Sequence, residues 1–156
     1  MQKITVIACN NKMPAWVDEG CKEYLRRLQE YTQINVIEIP LHKRGKISDL
    51  NRLLEKEALQ MKQAIPVHSY VFALAIQGKS YTSEQWADKL ESLQLYQGHL
   101  CFLIGGPEGL TEAMITRANE KLSLSSLTMP HTIARLVFFE SLYRAYAIMN
   151  HHPYHK

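Results

Sequence analysis

The chain of 156 residues has the length of one domain, which leaves no room for a separate domain dedicated to binding a macromolecule. Eighteen Lys and Arg residues against fifteen Asp and Glu residues give a net charge of +3, so any nucleic-acid surface must concentrate its basic side chains on one face. Hydrophobic residues make up 46% of the chain and charged residues 21%, fractions that exclude disorder, collagen and a coiled coil as descriptions of the whole.

Apolar runs bounded by turn signals recur along the chain, and each interval between them is long enough for a helix. The runs span residues 4–9, 34–39, 70–76, 100–104 and 122–129. Strands that alternate with helices in this way predict an α/β fold with a mostly parallel sheet and helices on both faces.

Three amphipathic helices are predicted in the first two thirds of the chain. The first begins after Pro14 and carries Trp16 on its apolar stripe. The second spans residues 48–64, and the third spans residues 82–95 and begins with a capping box. The basic segment HKRGKIS around Gly45 is the candidate mobile loop.

Targeting and redox signals give no indication of export. The sequence has no run of about 18 apolar residues and no signal-peptide pattern after Met1, so we expect a cytoplasmic protein without a membrane segment. Cys9, Cys21 and Cys101 never form a CxxC pair, so neither a disulfide framework nor a zinc site is expected.

The last predicted helix, residues 132–150, has apolar and aromatic side chains over far more than one stripe. Such a helix needs two burying surfaces, and the core of the domain or a second copy of the chain could supply the second one. We expect a homodimer with twofold symmetry. Arg135 and Arg144 interrupt this helix, and each guanidinium needs a carboxylate, a carbonyl or a ligand phosphate, so structural pairing and function are both open.

Glycines and hydroxyl residues cluster after two of the apolar runs. The segment IGGPEGL holds Gly105, Gly106 and Gly109, three of only seven glycines in the chain. Ligands of α/β sheets bind at the carboxyl ends of strands, where glycines let the main chain approach them closely. The spacing matches neither a dinucleotide site nor a P-loop, so a plain turn is equally compatible. The run 122–129, as a strand, would bury leucines on one face and offer serine and threonine hydroxyls on the other.

The C-terminal tail NHHPYHK, residues 150–156, has the most unusual composition in the chain. Pro153 ends the helix, and we expect an extended arm beyond it. Pro153 and Tyr154 argue against the remnant of a purification tag, and the three tail histidines lack a neighbouring carboxylate or cysteine for a zinc site. We favour an arm that carries titratable His and Tyr side chains, with Lys156, into an active site or onto RNA.

Seven segments, in order and at fitting spacing along nearly the whole chain, resemble the bacterial 23S ribosomal RNA pseudouridine N3-methyltransferases, the RlmH family of the SPOUT class. They are NKMP from Asn11, EYLRR from Glu23, EIP followed by KRGK from Glu38 to Lys46, LIGGPEGL from Leu103, LSLSSLTMPH from Leu122, ESLYRA from Glu140 and the tail NHHPYHK. Any one of them would be weak, whereas seven in order are very specific.

The resemblance implies a single SPOUT domain over residues 1–156, with a C-terminal trefoil knot that is an exception to the rule against threading, and an obligate homodimer. It implies S-adenosylmethionine as the cofactor and no metal. Carried over by motif, the cofactor pocket falls on Leu74, Gly105, Leu124, Ser125, Ser126, Leu127, Thr128 and Met129. The implied substrate is a pseudouridine in the helix 69 loop of 23S rRNA in the assembled 70S ribosome, whose shape would supply selectivity.

The reaction implied by the resemblance moves a methyl group in line to N3, whose proton must leave. A general base, or hydrogen bonds to the N3 anion, would lower the barrier. The candidate catalytic residues are Tyr154, His155, Arg144, His131, Arg135 and Lys156. We expect Tyr154 and His155 to contact the base and to control the N3 proton, and the other four residues to orient the nucleoside. We also expect the tail of one subunit to complete the site of the other. The competing hypotheses are a noncatalytic ribosome-associated RNA-binding protein and a metallohydrolase that uses the tail histidines.

Overall fold

The computed structural model describes residues 1–10, 12–45 and 49–156, and in these residues it shows a parallel sheet of five strands with five helices. The strands are β1 (Gln2–Cys9), β2 (Thr32–Ile39), β3 (Tyr70–Ser80), β4 (His99–Ile104) and β5 (Glu120–Ser123), in the spatial order β2-β1-β4-β3-β5. The helices are α1 (Ala15–Leu28), α2 (Leu50–Ala64), α3 (Ser83–Gln94), α4 (Glu112–Arg117) and α5 (His131–Met149). The predicted α/β fold is confirmed.

Helices cover both faces of the sheet, as predicted. The helices α1, α3 and α5 pack over one face, and α2 and α4 pack over the other. Because side chains alternate along a strand, Val6 and Ile7 of β1 enter opposite cores, and both are completely buried. The central strands therefore consist of nearly continuous apolar runs, the pattern of a sheet covered on both faces.

A ladder of phenylalanine rings joins the sheet to α5. The rings of Phe72 on β3 and Phe102 on β4 stack with centroids 5.0 Å apart, and Phe138 on α5 packs 4.8 Å from Phe102. Full burial of each ring contributes about 1.5 to 3 kcal/mol of transfer free energy. These contacts fix the position of α5 across the sheet and therefore the position of every side chain that α5 carries.

The helix α5 lies between α1 and α3 and buries aromatic side chains against the sheet. The domain itself thus supplies one of the two surfaces that the apolar pattern predicted. Ile133, Leu136 and Val137 stay only half-buried. The homodimer, which would cover more of α5, and the knotted threading of the C-terminal segment stay predictions.

Two details of the prediction are wrong. The predicted strand 122–129 ends at Ser123, and residues 124–130 form a loop. Trp16 does not join the buried stripe of α1 and is 62% exposed, because successive helical residues point about 100° apart and the stripe runs through Val17 and Cys21.

Two other predictions concern helix boundaries and caps. The predicted helix 48–64 begins at Leu50, and the predicted mobile loop is described only through Gly45, since residues 46–48 lie outside the described residues, as does Asn11. The predicted capping box between Thr82 and Gln85 is confirmed, because both of its reciprocal hydrogen bonds are present.

Candidate active site

The three segments of the expected cofactor pocket lie on neighbouring strands, one within β3 and two directly after β4 and β5. Ala73 of β3 pairs with Leu103 of β4, and Leu74 pairs with Leu122 of β5, so Leu74 lies where both neighbouring strands end. Gly105 is the first residue after β4. The segment 124–129 directly follows β5. The fold therefore brings all eight predicted cofactor residues to one edge of the sheet, formed by the carboxyl ends of β4 and β5 and the adjoining part of β3. We call it the carboxyl edge, and α/β sheets bind ligands at this edge.

The glycine-rich segment after β4 folds into a tight turn that only glycine permits at two positions. The amide of Gly109 donates to the carbonyl of Gly106 at 3.0 Å, with Pro107 in the second turn position, and Gly109 has a φ of +77°. A Cβ atom on Gly105 would lie 2.4 Å from the carbonyl carbon of Gly109. The turn therefore has a defined backbone conformation, with no space for a side chain at Gly105.

The segment after β5 is held by its own serine side chains. The hydroxyl of Ser125 accepts a hydrogen bond from the amide of Leu127 at 3.0 Å, and the hydroxyl of Ser123 donates to the carbonyl of Ser125 at 3.1 Å. Such local bonds compete with a strand ladder, which explains why the predicted strand stops early. Leu127 is left 74% exposed beside the carboxyl edge.

Arg44, from the basic segment, links the glycine turn to α2. Its guanidinium donates to Glu57 of α2 at 2.6 Å and to Glu108 of the turn at 2.6 Å. Burial alone would raise the pKa of the Glu57 carboxyl, but hydrogen bonds from Arg44 and from the amide of His42 outweigh burial and hold this pKa below its usual range. The cavity between α2 and the turn has a volume of about 20 Å³, the space of a single water molecule. Arg44 therefore supports the turn.

At the amino end of α5, two candidate residues have partners at or beside the ends of sheet strands. Nε2 of His131 lies 3.2 Å from Oδ1 of Asn10, directly after β1. The guanidinium of Arg135, which is 3% exposed, donates two hydrogen bonds to the carboxylate of Glu38 near the end of β2. Burial, and secondarily the charge of Arg135, lower the pKa of His131, so its imidazole is neutral near pH 7.

The tail is not an extended arm, which corrects the prediction. The amides of His152 and His151 donate to the carbonyls of Ala147 and Ile148 at 2.9 and 3.1 Å, and His151 has a φ of 56°. This is the Schellman arrangement of a helix end, with histidine in the left-handed position that glycine usually takes. The helix thus ends before Pro153, and the chain reverses so that the last residues pack back against α5.

The reversal places Tyr154 and His155 beside Arg144, in a group with Glu140 that we call the tail cluster. Arg144 donates to Oε1 of Glu140 through Nε at 3.0 Å and Nη2 at 2.7 Å, and the hydroxyl of Tyr154 donates to the same oxygen at 3.0 Å. Nη1 of Arg144 lies 3.0 Å from Nδ1 of His155, whose Nε2 lies 2.7 Å from Oε1 of Glu84 on α3. Three of the predicted catalytic residues are therefore in direct contact.

Aromatic and guanidinium groups enclose Tyr154. Its ring lies 4.8 Å from the ring of Tyr143 and 4.7 Å from the guanidinium carbon of Arg144, and its hydroxyl lies 3.1 Å from that of Tyr24. Burial, followed by the hydrogen bonds with Tyr24 and Glu140, raises the pKa of Tyr154, so the phenol stays protonated at neutral pH. As arranged, Tyr154 is a hydrogen-bond donor and not a base.

The catalytic candidates form two groups within the chain. Arg135 and Arg144 are nine residues apart on α5, or about 13 Å along the helix axis. His131 and Arg135 lie near the strand ends, the tail cluster lies farther along the helix, and Lys156 is exposed at the terminus. Sequence reasoning overlooked Tyr24 and Glu84, which carry no local signal. It gave Glu140 no role, although the spacing of Glu140 and Arg144 is that of a helical ion pair.

Searches for a metal site and for a membrane segment give no candidate within residues 1–10, 12–45 and 49–156. No group of three His, Cys, Asp or Glu side chains there is arranged to hold a metal ion. Over the same residues, no helix is long and apolar enough to cross a membrane.

Two solved structures have a similar fold. TrmJ from Z. mobilis ZM4 matches 90% of this chain and 69% of its own, with a TM-score of 0.54 and 12% identity. A probable methylase family protein from Haemophilus influenzae Rd KW20 matches 98% of this chain and 70% of its own, with a TM-score of 0.55 and 11% identity. At these identities the likeness shows the fold alone.

Sequence relatives extend over the whole chain. A family model described as "Predicted SPOUT methyltransferase" matches residues 2–155. Proteins named Ribosomal RNA large subunit methyltransferase H from Legionella pneumophila strains Paris and Lens are 52% identical over 156 residues, the full length of both chains. One of the same name from Marinomonas sp. (strain MWYL1) is 40% identical over 154 residues, 99% of each chain. The chain therefore belongs to the SPOUT methyltransferase family and, within it, to the family of ribosomal RNA large subunit methyltransferase H.

Proposed function

We propose that this protein is an S-adenosylmethionine-dependent methyltransferase that methylates N3 of a pseudouridine in the helix 69 loop of 23S rRNA, in the assembled 70S ribosome. The observation that carries the proposal is the 52% identity, over the full length of both chains, to proteins named Ribosomal RNA large subunit methyltransferase H. The cytoplasm, where ribosomes work, is the proposed location.

The residues of the carboxyl edge suit the proposed cofactor. Adenine and the methionine chain need main-chain partners and apolar walls, and the edge offers the glycine turn, the serine-held loop and the side chains of Leu74, Leu127 and Met129. When bound, S-adenosylmethionine supplies an electrophilic methyl group on a sulfonium. Gly105 and the segment 124–129 would hold it there, and the ion pairs of Arg44 with Glu57 and Glu108 would maintain the conformation of the turn.

The tail cluster is the proposed site of substrate contact. Loss of the N3 proton leaves negative charge on the base, which hydrogen-bond donors stabilise. Tyr154 and Arg144 are hydrogen-bond donors at neutral pH, and the two ring nitrogens of His155 face Arg144 and Glu84. Lys156, at the exposed end of the chain, is available to a phosphate.

We propose a homodimer in which the tail of one subunit completes the site of the other. Within one subunit, His131 and Arg135 lie near the carboxyl edge, whereas the tail cluster is displaced along α5 by about 13 Å. A twofold-related copy that packs on the half-buried apolar residues of α5 would bring a second tail to the edge. A 156-residue chain would thus obtain its RNA surface from two subunits and its selectivity from the folded ribosome.

The deciding experiment measures cofactor binding and methyl transfer together. Calorimetry with S-adenosylmethionine is expected to show binding that is lost in Gly105→Ala, because the added Cβ would collide with the main chain of Gly109. Gly98→Ala is the matched control, since a Cβ there meets nothing within 4 Å, and it should bind normally.

Transfer of a labelled methyl group is then compared on 70S ribosomes, on isolated subunits and on ribosomes without the pseudouridine. Transfer to pseudouridine-containing 70S particles alone is the expected result. A wild-type protein that binds ribosomes without binding the cofactor would support the noncatalytic alternative instead.

A deletion of residues 153–156 tests the role of the tail. We expect cofactor binding to remain largely intact, because the carboxyl edge is built without these residues, and methyl transfer to disappear. Unchanged transfer to ribosomes would refute the proposed role of Tyr154 and His155.

A further inference from the structure

We propose that Glu140 is a positioning residue that fixes Arg144 and, through Arg144, holds His155 as the neutral tautomer with its proton on Nε2. The inference deepens the proposed function, since it assigns hydrogen-bonding roles within the proposed substrate-contact site. It rests on the donor and acceptor chemistry of four connected side chains.

Glu140 is the centre of the tail cluster. One carboxylate oxygen, Oε1, accepts three hydrogen bonds: two from Arg144, at 3.0 and 2.7 Å, and one from the Tyr154 hydroxyl at 3.0 Å. Glu140 and Arg144 are each a little over a quarter exposed, so the pair is partly withdrawn from water. With Nε and Nη2 engaged, the planar guanidinium has one defined orientation, and that orientation points Nη1 at the tail.

The orientation of Arg144 decides the tautomer of His155. A guanidinium can only donate hydrogen bonds, so Nδ1 of His155, 3.0 Å from Nη1, must accept one through its lone pair. The proton of the neutral ring is then on Nε2, which donates to the Glu84 carboxylate at 2.7 Å. A doubly protonated ring would place a proton of Nδ1 against an N–H of Arg144, so His155 is a neutral donor to the Glu84 carboxylate and the two side chains do not form an ion pair.

This arrangement assigns different parts to the two tail side chains. Nδ1 of His155 is occupied by Arg144, and the single hydroxyl proton of Tyr154 is donated to Glu140, so Tyr154 anchors the tail. The proton on Nε2 of His155 meets only the Glu84 carboxylate. Glu84 is 64% exposed, so its place at Nε2 is open to another acceptor. The acceptor that matches this donor is one of the carbonyl oxygens that flank N3 of a uracil ring.

The test reads the tautomer directly. Nitrogen-15 NMR distinguishes a ring nitrogen with a proton from one with a lone pair, and a His155→Gln variant identifies the signals among those of the seven histidines. We expect wild-type His155 to show a lone-pair Nδ1 and a protonated Nε2. In Glu140→Gln, which cannot hold Arg144 by charge, the two signals should move towards each other as the tautomers mix.

Controls separate positioning from folding and from the proposed function. Asp18→Asn breaks an exposed helical ion pair with Lys22 on α1 and should leave the His155 signals unchanged. Arg144→Lys keeps the charge but lacks the planar fork that holds Glu140 on one side and His155 on the other, so it should mix the tautomers even if Glu140→Gln fails to fold. Methyl transfer should fall about tenfold in Glu140→Gln, within the range of a lost charge-assisted hydrogen bond, with cofactor binding unchanged.

The outcomes are distinguishable. A wild-type His155 with its proton on Nδ1, or unchanged His155 signals in both Glu140→Gln and Arg144→Lys, would overturn the inference. If no variant and no wild-type protein transferred a methyl group, the proposed function would fail while the tautomer result stood on its own.

Discussion

Arg135 and Arg144 give the same sequence signal, an arginine within an apolar helix, but the fold places them in opposite surroundings. Arg135 is 3% exposed, and its partner Glu38 is half-exposed on strand β2. Arg144 is 27% exposed, and its partner Glu140 lies one turn away on α5 itself. A contact between a helix and the sheet fixes the fold, whereas a contact within one helix leaves the fold unchanged when it breaks. We therefore expect the Arg135 pair to matter most for stability and Arg144 most for turnover.

The largest effect is expected from Glu38→Ala. This change leaves the buried guanidinium of Arg135 without its carboxylate, which should lower the free energy of unfolding by about 3 kcal/mol. Asp18→Ala, whose partner Lys22 is exposed, is the control and should cost less than about 1 kcal/mol. Denaturant unfolding measures both. Equal small losses would mean that Arg135 reaches water once unpaired, and the contrast with Arg144 would disappear.

The next effect concerns Arg144→Met, which keeps much of the packing volume and removes the donors to Glu140 and His155. Methyl transfer at saturating cofactor should fall roughly 10- to 100-fold, the value of one or two charge-assisted hydrogen bonds. The free energy of unfolding should change by less than about 1 kcal/mol, because the pair is partly exposed and local. A loss of stability as large as that in Glu38→Ala would show that both arginines are structural.

The smallest effect is a pH dependence at the amino end of α5. Burial lowers the pKa of His131 from its usual 6.5, so the unfolded chain binds more protons than the folded protein just below that value. The stability that His131 contributes is therefore complete above pH 6.5 and falls as the pH drops towards the folded pKa. His131→Gln should flatten the dependence of unfolding free energy on pH between 5 and 7. His99, whose pKa burial also lowers, leaves a residual slope; an unchanged slope in His131→Gln would contradict the prediction.

Much of the fold follows from local sequence patterns. The period of apolar residues identified the strands, and the Thr82 capping box identified the start of α3, because both depend on residues close in the chain. The errors at Ser123 and Trp16 have equally local causes, a serine that bonds its own loop and a helical residue off the buried stripe. The glycine turn was identified as a candidate site, but its lack of space at Gly105 depends on where Gly109 folds back.

The candidate site was predicted less completely than the fold. The resemblance supplied Tyr154, His155 and Arg144, and the structure places them in contact. It did not indicate that the tail folds back, because a histidine in the left-handed position at the end of a helix has no strong sequence signature. Tyr24 and Glu84 are distant in sequence from the tail, and only tertiary packing brings them to it.

The sequence by itself determined the class of the protein: an α/β fold and the family to which seven ordered segments point. It also predicted the edge of the sheet where a ligand would bind. The tertiary structure decided which partner each charged group has. The physical reason is the distance along the chain between interacting residues, since helix and strand patterns arise from neighbours in the sequence. The burial of Arg135, the ion pairs of Arg44 and the hydrogen bonds of His155 depend instead on segments that only packing brings together.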